Sequence, residues 1–549
     1  MSDLSMATSE IEVVGSPLSN AQQPQGVAKK VNCVFDVHSA SAYGDLEMIR
    51  KFVEVDGSSV HQPDGNGYYP LQWAALNNYP DISIYILEHG GEVDATDNLG
   101  QTALHWAAVT GSLEVAEILL KNGARVESTD NYGFRAVHMA AQYGQTAFLN
   151  HIVAKYHADF DALDNEGRSP LHWAAYKGFA DTVRLLLFRD ANQGKQDRGG
   201  CTPLHWAAIN GNLEACTVLV HASTKKELSV KDKLGFTPFQ LATDKGHRQV
   251  ALFLANMQRA QSNQWRDKLF HGKFAATGFA PALFSIIIMC MFLFINSVLA
   301  APNLPKVTAT VGLWGWVAMF LTAVALVMLY RCSSKDPGYL QQSEGLAKSP
   351  DEVDALLSIN LNNSAVWTGN WSQLCPTCKI IRPLRSKHCP ICKRCVEQFD
   401  HHCPWISNCV GKCNKREFFI FVLLGALSSS LTAVVTFQRI WTALLTTQAK
   451  DGWVGFMFVQ HSGIVIFLFF DLVILMAATT LTTVQTYQIA MNITTNEVAN
   501  ASRYEYLRGP DGRFRNPYNQ GCQKNCADFV IQGFTDDTSA FRPLHQMVI

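Results

Sequence analysis

Eight of the fifteen cysteines in this 549-residue chain fall between Cys375 and Cys413, where three Cys-x2-Cys pairs overlap and histidines are interspersed. Two thiolates from one tight turn can reach a single ion, which is what tetrahedral zinc requires. Crowded cysteines also fit a disulfide framework. The first 30 residues are polar and lack the apolar segment of a secretory signal, so we predict a cytosolic, reducing setting. That setting favours metal, in two closed, structural four-ligand sites.

Predicted membrane spans lie on both sides of this cluster. Residues 278–300, 307–330, 418–438 and 462–484 are predominantly apolar, and the first three runs carry no charge. Each run exceeds about 18 residues, the length typical of a transmembrane helix, and four such runs in one chain disfavour buried core helices. Asp471 interrupts the fourth run. It is either a functional group or a carboxyl that is bonded to a neighbouring helix or lies close to the membrane interface.

Basic residues predict the orientation of these spans. The loop over 331–416 holds 12 lysines and arginines, whereas the short linker over 301–306 holds one. Loops rich in lysine and arginine remain on the cytosolic side. We therefore expect the N-terminus, the cysteine-rich loop and the C-terminus all to face the cytosol.

The first half of the chain contains an internal repeat. Similar seven-residue segments begin at Tyr69, Thr102, Arg135, Ser169, Thr202 and Thr237, spaced 33, 33, 34, 33 and 35 residues apart. The period and the Thr-Pro-Leu-His-Trp-Ala-Ala core resemble ankyrin repeats, which stack into a solenoid with a concave binding surface. A degenerate first unit around residues 40–52 would cap the stack. The repeated His105, His172 and His205 are interpreted as turn residues that bond the next repeat rather than as metal ligands.

The overall charge is balanced, because 45 lysines and arginines face 46 aspartates and glutamates. A net charge of −1 gives no support to nucleic-acid binding. A cytosolic protein is the natural partner of the solenoid.

The cysteine-rich loop resembles the Asp-His-His-Cys palmitoyltransferases at every motif position, through Asp400, His401, His402 and Cys403. Other family motifs also match. These are Asp336, Pro337 and Gly338; Thr494 to Glu497; and Asn516, Tyr518, Asn525 and Phe529. With the repeats, the resemblance covers nearly the whole chain and looks closest to the ankyrin-bearing plant members, which are found on the Golgi apparatus and related membranes.

The resemblance implies the metal ligands and the nucleophile. One zinc ion would be held by Cys375, Cys378, His388 and Cys395, and the other by Cys389, Cys392, His402 and Cys409. Cys403 would be the nucleophile, with His401 as its base and Asp400 orienting the imidazole. Arg382, Arg385, Lys387 and Lys415 are interpreted either as contacts for the phosphates of coenzyme A or as charges that face solvent or the lipid headgroups.

These inferences predict a mainly α-helical fold: an ankyrin solenoid followed by a polytopic transmembrane helix bundle with a small zinc-bound cysteine-rich domain. The expected parts are a disordered tail at 1–34, repeats at 35–258, two spans within 278–330, a cytosolic loop at 331–416, two spans within 417–484 and a cytosolic tail at 485–549. The catalytic domain is expected at about 373–423.

The expected function is protein S-acyl transfer. A long-chain acyl group, as in palmitoyl-CoA, would pass through Cys403 to cysteines of proteins that the repeats recruit. The implied cofactors are two structural zinc ions, and the chain would itself carry palmitate as a lipoprotein. The expected location is the Golgi apparatus, with other endomembranes or the plasma membrane as alternatives. A membrane-anchored ankyrin scaffold with a silent zinc domain is the competing hypothesis, and an ankyrin-bearing channel is a weaker one.

Overall fold

The computed structural model describes residues 34–222, 226–271, 278–301, 308–341, 371–446, 461–509 and 511–534. Apart from Val34, the tail predicted for residues 1–34 lies outside them. The described residues form a helix-pair solenoid, a bundle of long apolar helices and three small β-hairpins. This is the fold class predicted from the sequence.

The solenoid consists of seven successive helix pairs within residues 37–271. Its helices are α1 (Val37–Tyr43), α2 (Leu46–Arg50), α3 (Pro70–Leu76), α4 (Pro80–Glu88), α5 (Ala103–Thr110), α6 (Leu113–Lys121), α7 (Ala136–Gln142), α8 (Thr146–Tyr156), α9 (Pro170–Lys177), α10 (Ala180–Phe188), α11 (Pro203–Ile209), α12 (Leu213–Ala222), α13 (Pro238–Asp244) and α14 (Arg248–His271). The first pair packs against α3, so the predicted capping unit is confirmed.

Local sequence determines where the repeat helices begin and end. Before α5, the backbone amide of Thr102 donates a hydrogen bond to His105 Nδ1. Gly111 ends that helix at φ 77°, a left-handed conformation that glycine adopts without steric cost. A Cβ atom at Gly111 would lie 2.5 Å from the end of the Gln145 side chain in the next repeat, so a side chain here would also require Gln145 to move.

The repeat histidines join consecutive repeats, as predicted. The Nε2 atom of His105 lies 3.0 Å from the carbonyl oxygen of Phe134, one repeat further along. The same bond recurs from His172 to Cys201 at 3.2 Å and from His205 to Phe236 at 3.3 Å. Burial lowers the pKa of His172 to about 4 despite these hydrogen bonds, so its ring is neutral at physiological pH.

Four helices within the described residues are long and apolar enough to cross a membrane. They are span 1 (Ala280–Leu299), span 2 (Ala309–Ser334), span 3 (Lys415–Ala443) and span 4 (Ser462–Ala490). The last five residues of span 1 form a π-helical turn, and the helix of span 3 continues to Thr446. Spans 2 to 4 extend beyond the predicted runs, because a helix can continue into polar residues that a search for apolar runs excludes.

Asp471 and Arg439 are ionisable side chains buried within the bundle. Both carboxylate oxygens of Asp471 on span 4 lie 2.9 Å from the hydroxyl of Thr432 on span 3, which confirms the interpretation as a carboxyl bonded to a neighbouring helix. Arg439 on span 3 donates a hydrogen bond of 3.0 Å to the carbonyl of Val298 in the π-helical turn of span 1. Arg439 lies one residue beyond the predicted third run, so the sequence interpretation overlooked it.

The cysteine-rich segment forms three antiparallel hairpins. Their strands are β1 (Leu374–Cys375) with β2 (Ile380–Ile381), β3 (Lys387–Cys389) with β4 (Arg394–Val396), and β5 (His401–Cys403) with β6 (Asn408–Val410). They are called hairpins 1, 2 and 3 below. Short helices at Thr495–Ala499 and Cys522–Gln532 follow span 4. Short 3₁₀ turns lie at Glu227–Ser229 in the solenoid, at Trp371–Gln373 before β1, and at Ala501–Arg503 and Glu505–Leu507 after span 4.

Hairpin 3 lies against one end of the helix bundle. The Ser407 hydroxyl accepts a hydrogen bond of 3.0 Å from the amide of Ala280 at the start of span 1. Asn408 donates a hydrogen bond of 2.9 Å to the carbonyl of Lys335, just after span 2. Span 3 begins directly after the hairpin, and the turn after span 4 bonds the residue before β5. The same end of all four spans therefore positions this hairpin.

Candidate active site and metal centres

The three hairpins are one structural unit repeated every 14 residues. Cys375, Cys389 and Cys403 occupy the same place in successive hairpins, each at the end of a first strand, and each is followed by proline. The sequence analysis identified the overlapping Cys-x2-Cys pairs but missed this repeat. A search for self-similarity at short periods would have found it.

Consecutive hairpins share the first cluster of metal-ligating side chains. Hairpin 1 contributes Cys375 and Cys378 from its turn, and hairpin 2 contributes His388 and Cys395, which face each other across its strands. His388 Nδ1 lies 3.6, 3.3 and 3.7 Å from the sulfur atoms of Cys375, Cys378 and Cys395. The structure thus brings together the whole first ligand set that the family resemblance implies.

The second cluster repeats this arrangement one unit later. Hairpin 2 contributes Cys389 and Cys392, and hairpin 3 contributes the cross-strand pair His402 and Cys409. His402 Nδ1 lies 3.7, 3.4 and 3.6 Å from the three sulfur atoms. The second implied ligand set is therefore also assembled in one place.

Both donor sets fit zinc. A tetrahedral ion with Zn–S bonds near 2.3 Å and Zn–N bonds near 2.0 Å would separate its sulfur and nitrogen ligands by roughly 3.6 Å. The sulfur–nitrogen distances in the two clusters run from 3.3 to 3.7 Å. Three cysteines and one histidine make a four-ligand set with no position left for substrate, which is typical of a structural site.

Hairpin 3 lacks the second of the two turn cysteines that hairpins 1 and 2 contribute to a metal cluster. The place taken by Cys378 and Cys392 in the first two turns is taken by Ile406, a fully buried side chain. Span 3 begins where a fourth hairpin with a histidine–cysteine pair would be needed. Cys403 therefore occupies a ligand place in the repeating unit, yet within the described residues it belongs to neither metal-ligating cluster.

A histidine–aspartate pair lies beside Cys403, as expected for an activated nucleophile. His401 and Cys403 lie on the same strand two residues apart, so both side chains point to the same face. The imidazole bonds to Cys403, and its Nδ1 atom lies 2.7 Å from the Asp400 carboxylate. Because Nδ1 is engaged by Asp400, Nε2 is the nitrogen that can exchange a proton with the Cys403 thiol.

The charges in this group favour a thiolate–imidazolium pair. Burial disfavours the charged form of His401, but hydrogen bonds to Asp400 and Cys403 raise its pKa to about 9. Burial likewise opposes ionisation of Cys403, but the hydrogen bond to His401 and the backbone amides of Ile406 and Trp405 lower its pKa below the ordinary value. A thiolate is the nucleophilic form of cysteine.

Asp400 is buried and held by several donors. Lys415 Nζ lies 2.9 Å from its Oδ1 atom, and the hydroxyl of Thr495 lies 2.7 Å from Oδ2. The backbone amide of Thr495 also donates to Oδ1, over 3.1 Å. Although burial opposes its ionisation, the Lys415 charge and the hydrogen bond from His401 hold the pKa of Asp400 well below its usual range. The sequence analysis matched Thr495 only as part of a motif and assigned it no role.

Arg382, Arg385, Lys387 and Lys415 all bond within the protein, which none of the alternatives considered for them described. Arg385 forms a buried bidentate ion pair with Glu497, at 2.7 and 2.9 Å. Lys387 donates to Asn496 over 2.7 Å. These bonds tie hairpin 2 to the short helix after span 4. Thr495 ties the same helix to Asp400, and Lys415 ties the start of span 3 to Asp400.

The outlying motifs also hold the hairpins to the bundle. The carboxylate of Asp336 accepts hydrogen bonds from the amides of Gly338 and Tyr339, which turns the chain after span 2 toward hairpin 2. Tyr339 forms an isolated β-bridge with Val396. Asn525 donates a hydrogen bond of 2.8 Å to the carbonyl of Ala490 at the end of span 4.

The Cys403 side chain faces the apolar interior of the bundle. It is 8% exposed and belongs to a hydrophobic cluster formed with residues of spans 2 and 3, to which residues of span 1 add. Leu326 of span 2 and Phe418 and Val422 of span 3 are members of this cluster. The ring of Trp405, in the turn of hairpin 3, lies 5.7 Å from that of Phe279 before span 1. The Cys403 sulfur is therefore placed where hairpin 3 meets the apolar helices.

Comparison with protein families finds two matches. The model for the DHHC palmitoyltransferase family matches residues 369–502, which include all three hairpins and the turn after span 4. The ankyrin-repeat model matches three times, at residues 37–130, 137–232 and 190–265.

Three curated relatives resemble the chain over most of its length. "Probable protein S-acyltransferase 23" of Arabidopsis thaliana is 58% identical, over 97% of this chain and 98% of the relative. Palmitoyltransferase ZDHHC17 of Danio rerio is 31% identical, over 90% of this chain and 87% of the relative. Palmitoyltransferase Hip14 of Drosophila melanogaster is 32% identical, over 94% and 88% respectively.

Proposed function

The chain belongs to the DHHC palmitoyltransferase family in its ankyrin-bearing form, and on that basis we propose how its residues carry out protein S-acylation. It is a membrane-bound protein S-acyltransferase with ankyrin repeats. We assign the acyl-enzyme to Cys403, proton transfer to His401 and orientation of His401 to Asp400.

In the first half-reaction, His401 Nε2 accepts the proton of the Cys403 thiol. The thiolate attacks the thioester carbonyl carbon of acyl-CoA, a new carbon–sulfur bond forms at Cys403, and the bond to coenzyme A breaks. The departing thiolate takes the proton back from the imidazolium, which gives acyl-Cys403 and free coenzyme A. Asp400 stabilises the imidazolium through its bond to Nδ1.

In the second half-reaction, a cysteine thiol of the acceptor protein loses its proton to His401 and attacks the carbonyl carbon of acyl-Cys403. Cys403 leaves and is reprotonated. Both steps exchange one thioester for another, so neither intermediate is an energetic trap, and ping-pong kinetics follow. The apolar cluster around Cys403 supports a long-chain donor such as palmitoyl-CoA, whose tail would lie among the spans.

One observation carries the assignment of Cys403. Three cysteines hold equivalent places in the hairpin repeat, and two of them lie in complete four-ligand clusters. The third has Ile406 where its ligand partner would be and a histidine–aspartate pair beside it. A thiol in that position is available for chemistry.

We propose that the two clusters hold structural zinc ions. In that role the ions would fix the turns of hairpins 1 and 2 and the strand that carries His402, next to the nucleophile, without touching substrate. Their donor sets and distances support this assignment.

We further propose that the repeats recruit the acceptor proteins, since a solenoid provides an extended concave surface. The loop charges described above support a cytosolic active site, and the contact of hairpin 3 with one end of all four spans is consistent with one cytosolic face. The Golgi apparatus is the proposed location, by resemblance to the plant members.

Labelling tests the assignment of Cys403. The purified full-length protein is incubated with an alkyne-bearing palmitoyl-CoA, and hydroxylamine-releasable label is measured. Cys403→Ser should abolish this label while retaining both zinc ions. The matched control is Cys413→Ser, because Cys413 is an exposed thiol in the same segment. Normal hydroxylamine-sensitive labelling of Cys403→Ser would show that another residue accepts the acyl group.

A further inference from the structure

Hairpin 1 is the first of the three hairpins, so no hairpin precedes it in the series. In hairpins 2 and 3, a histidine on the first strand faces a cysteine on the second strand, and this pair completes a metal cluster. In hairpin 1 the equivalent pair is Leu374 and Ile381, which also face each other across the strands. Neither side chain can bind a metal, so hairpin 1 must be supported from that side in another way.

The solenoid supplies this support. Leu374 is 2% exposed and is part of the same hydrophobic core as the repeat helices. Ile381 and Trp371, on either side of the hairpin, pack against that core. Strand β1 and the 3₁₀ turn before it contact α10. Apolar contact with the repeats therefore replaces metal coordination at this end of the series.

A lysine at the tip of hairpin 1 fixes the contact further. Lys379 Nζ donates hydrogen bonds of 2.8 and 3.0 Å to the carbonyls of Leu187 and Phe188, the last residues of α10. It also lies 2.5 Å from the carboxylate of Asp190. The last carbonyls of a helix lack partners within the helix and carry its negative dipole end, so an ammonium group is favoured there.

We infer that the ankyrin repeats, besides binding partners, hold hairpin 1 in place and thereby govern how long the first metal site retains its ion. This inference rests on the proposed zinc occupancy. Two of the four ligands of the first site, Cys375 and Cys378, lie on hairpin 1 and leave together if the hairpin separates from α10. The ligands of the second site lie on hairpins 2 and 3, which the spans and the turn after span 4 position. The two sites should therefore differ in their dependence on the repeats.

Zinc protection of the cysteines tests this difference. Full-length protein in detergent is mixed with a chelator and N-ethylmaleimide, and the alkylation rate of each cysteine is followed by peptide mass spectrometry. In Lys379→Glu, Cys375 and Cys378 should be alkylated about 10- to 100-fold faster, the scale on which supporting contacts alter metal affinity. Cys389 and Cys392 should keep their wild-type rates.

The chain offers a matched control at Lys393, which follows Cys392 as Lys379 follows Cys378 and has the same left-handed backbone, with φ 54° against 53°. Lys393 is exposed. Lys393→Glu should therefore leave the first site unchanged, although it also reverses a charge next to a zinc-ligating cysteine in the sequence. Equal acceleration at Cys375 in Lys379→Glu and Lys393→Glu would overturn the inference.

A second variant, on the solenoid side of the contact, tests the inference even if Lys379→Glu does not fold. Asp190→Lys places a like charge opposite Lys379 and should accelerate alkylation of Cys375 in the same way, whereas combining it with Lys379→Glu should restore part of the protection. Wild-type rates in Asp190→Lys would contradict the inference. The zinc content of the wild-type protein is measured first. A value below two would count against the proposed zinc sites themselves, and not against the role of the repeats alone.

Discussion

The hydroxyl of Thr495 donates a 2.7 Å hydrogen bond to the carboxylate of Asp400, across 95 residues of sequence. Thr495 opens the short helix after span 4, whereas Asp400 precedes the strand that bears Cys403. The orientation of His401, which Asp400 holds, therefore depends on how the fourth span ends.

Replacing this threonine should slow catalysis without unfolding the protein. Thr495→Val keeps the shape of the side chain but removes a donor to a charged acceptor, an interaction that contributes about 1.5 kcal/mol or more. We expect acyl-enzyme formation to slow about 10-fold, the rate equivalent of about 1.4 kcal/mol. Single-turnover labelling measures the rate. Thr483→Val is the control, because that hydroxyl bonds the carbonyl of Thr479 within span 4. Equal rates in the two variants would remove Thr495 from the positioning of Asp400.

Adjacent histidines should have separable effects. His401→Ala should retain two zinc ions but form acyl-enzyme about 100-fold more slowly or worse, the usual scale for losing a general base. His402→Ala should lose the second ion and destabilise the hairpins, because a structural zinc contributes folding energy directly. Metal analysis and labelling of both variants give the comparison. Retention of two ions by His402→Ala would contradict the second ligand set.

The incomplete unit in hairpin 3 can be completed. Ile406→Cys would place a second thiol where hairpins 1 and 2 have one, so Cys403 and the new cysteine should together bind added zinc. We expect micromolar zinc to inhibit acyl-enzyme formation in this variant and to leave the wild type unaffected. Ile406→Ala controls for the lost side-chain volume. Inhibition of Ile406→Ala to the same extent, or none in Ile406→Cys, would show that the third turn is not equivalent to the other two.

Acid should loosen the contact between two repeats at Glu117 on α6. Its partners are Lys121 on the same helix and His151, Lys155 and Tyr156 on α8. Partial burial opposes ionisation, but these bonds lower the pKa of Glu117 from 4.5 to about 2. A carboxyl with a lowered pKa in the folded state contributes stability that is complete above its unfolded pKa and is lost as the pH falls between the two values.

Amide hydrogen exchange of α6 and α8 in the full-length protein measures this loss. Wild-type protection should fall from about pH 5 toward pH 3, after correction for the intrinsic exchange rate. Glu117→Gln should be less protected at pH 5 and should change less over that range. Glu114→Gln, at an exposed position on the same helix, is the control and should follow the wild type. Parallel curves for Glu117→Gln and the wild type would contradict the prediction.

The sequence was sufficient for features that depend on local spacing. A 33-residue period specifies helix pairs, because each unit must bury its apolar face against the next. Long uncharged runs specify spans, since a helix of that length matches the apolar thickness of a bilayer. The family pattern implied both cysteine–histidine sets, and the hairpin geometry brings each set within one cluster.

Contacts between distant surfaces could not be predicted in this way. Lys379 and the carbonyl of Leu187 are 192 residues apart, and nothing in the local pattern of either segment indicates the other. Lys415 was interpreted as a contact for phosphate or solvent, yet it neutralises the buried charge of Asp400. Such pairs depend on how folded units dock, which a single sequence without co-varying relatives does not encode in a readable form.

In each hairpin turn, a backbone amide faces the first cysteine of the turn. In hairpins 1 and 2, the amide of the second turn cysteine lies 3.4 Å from the sulfur of the first. In hairpin 3, the amide of Ile406 occupies the equivalent place and helps to lower the pKa of the Cys403 thiol. A turn that favours thiolate for a metal favours it equally for chemistry. A hairpin that keeps this turn but has no metal partners therefore leaves its first cysteine outside both clusters, with a backbone that already stabilises a thiolate.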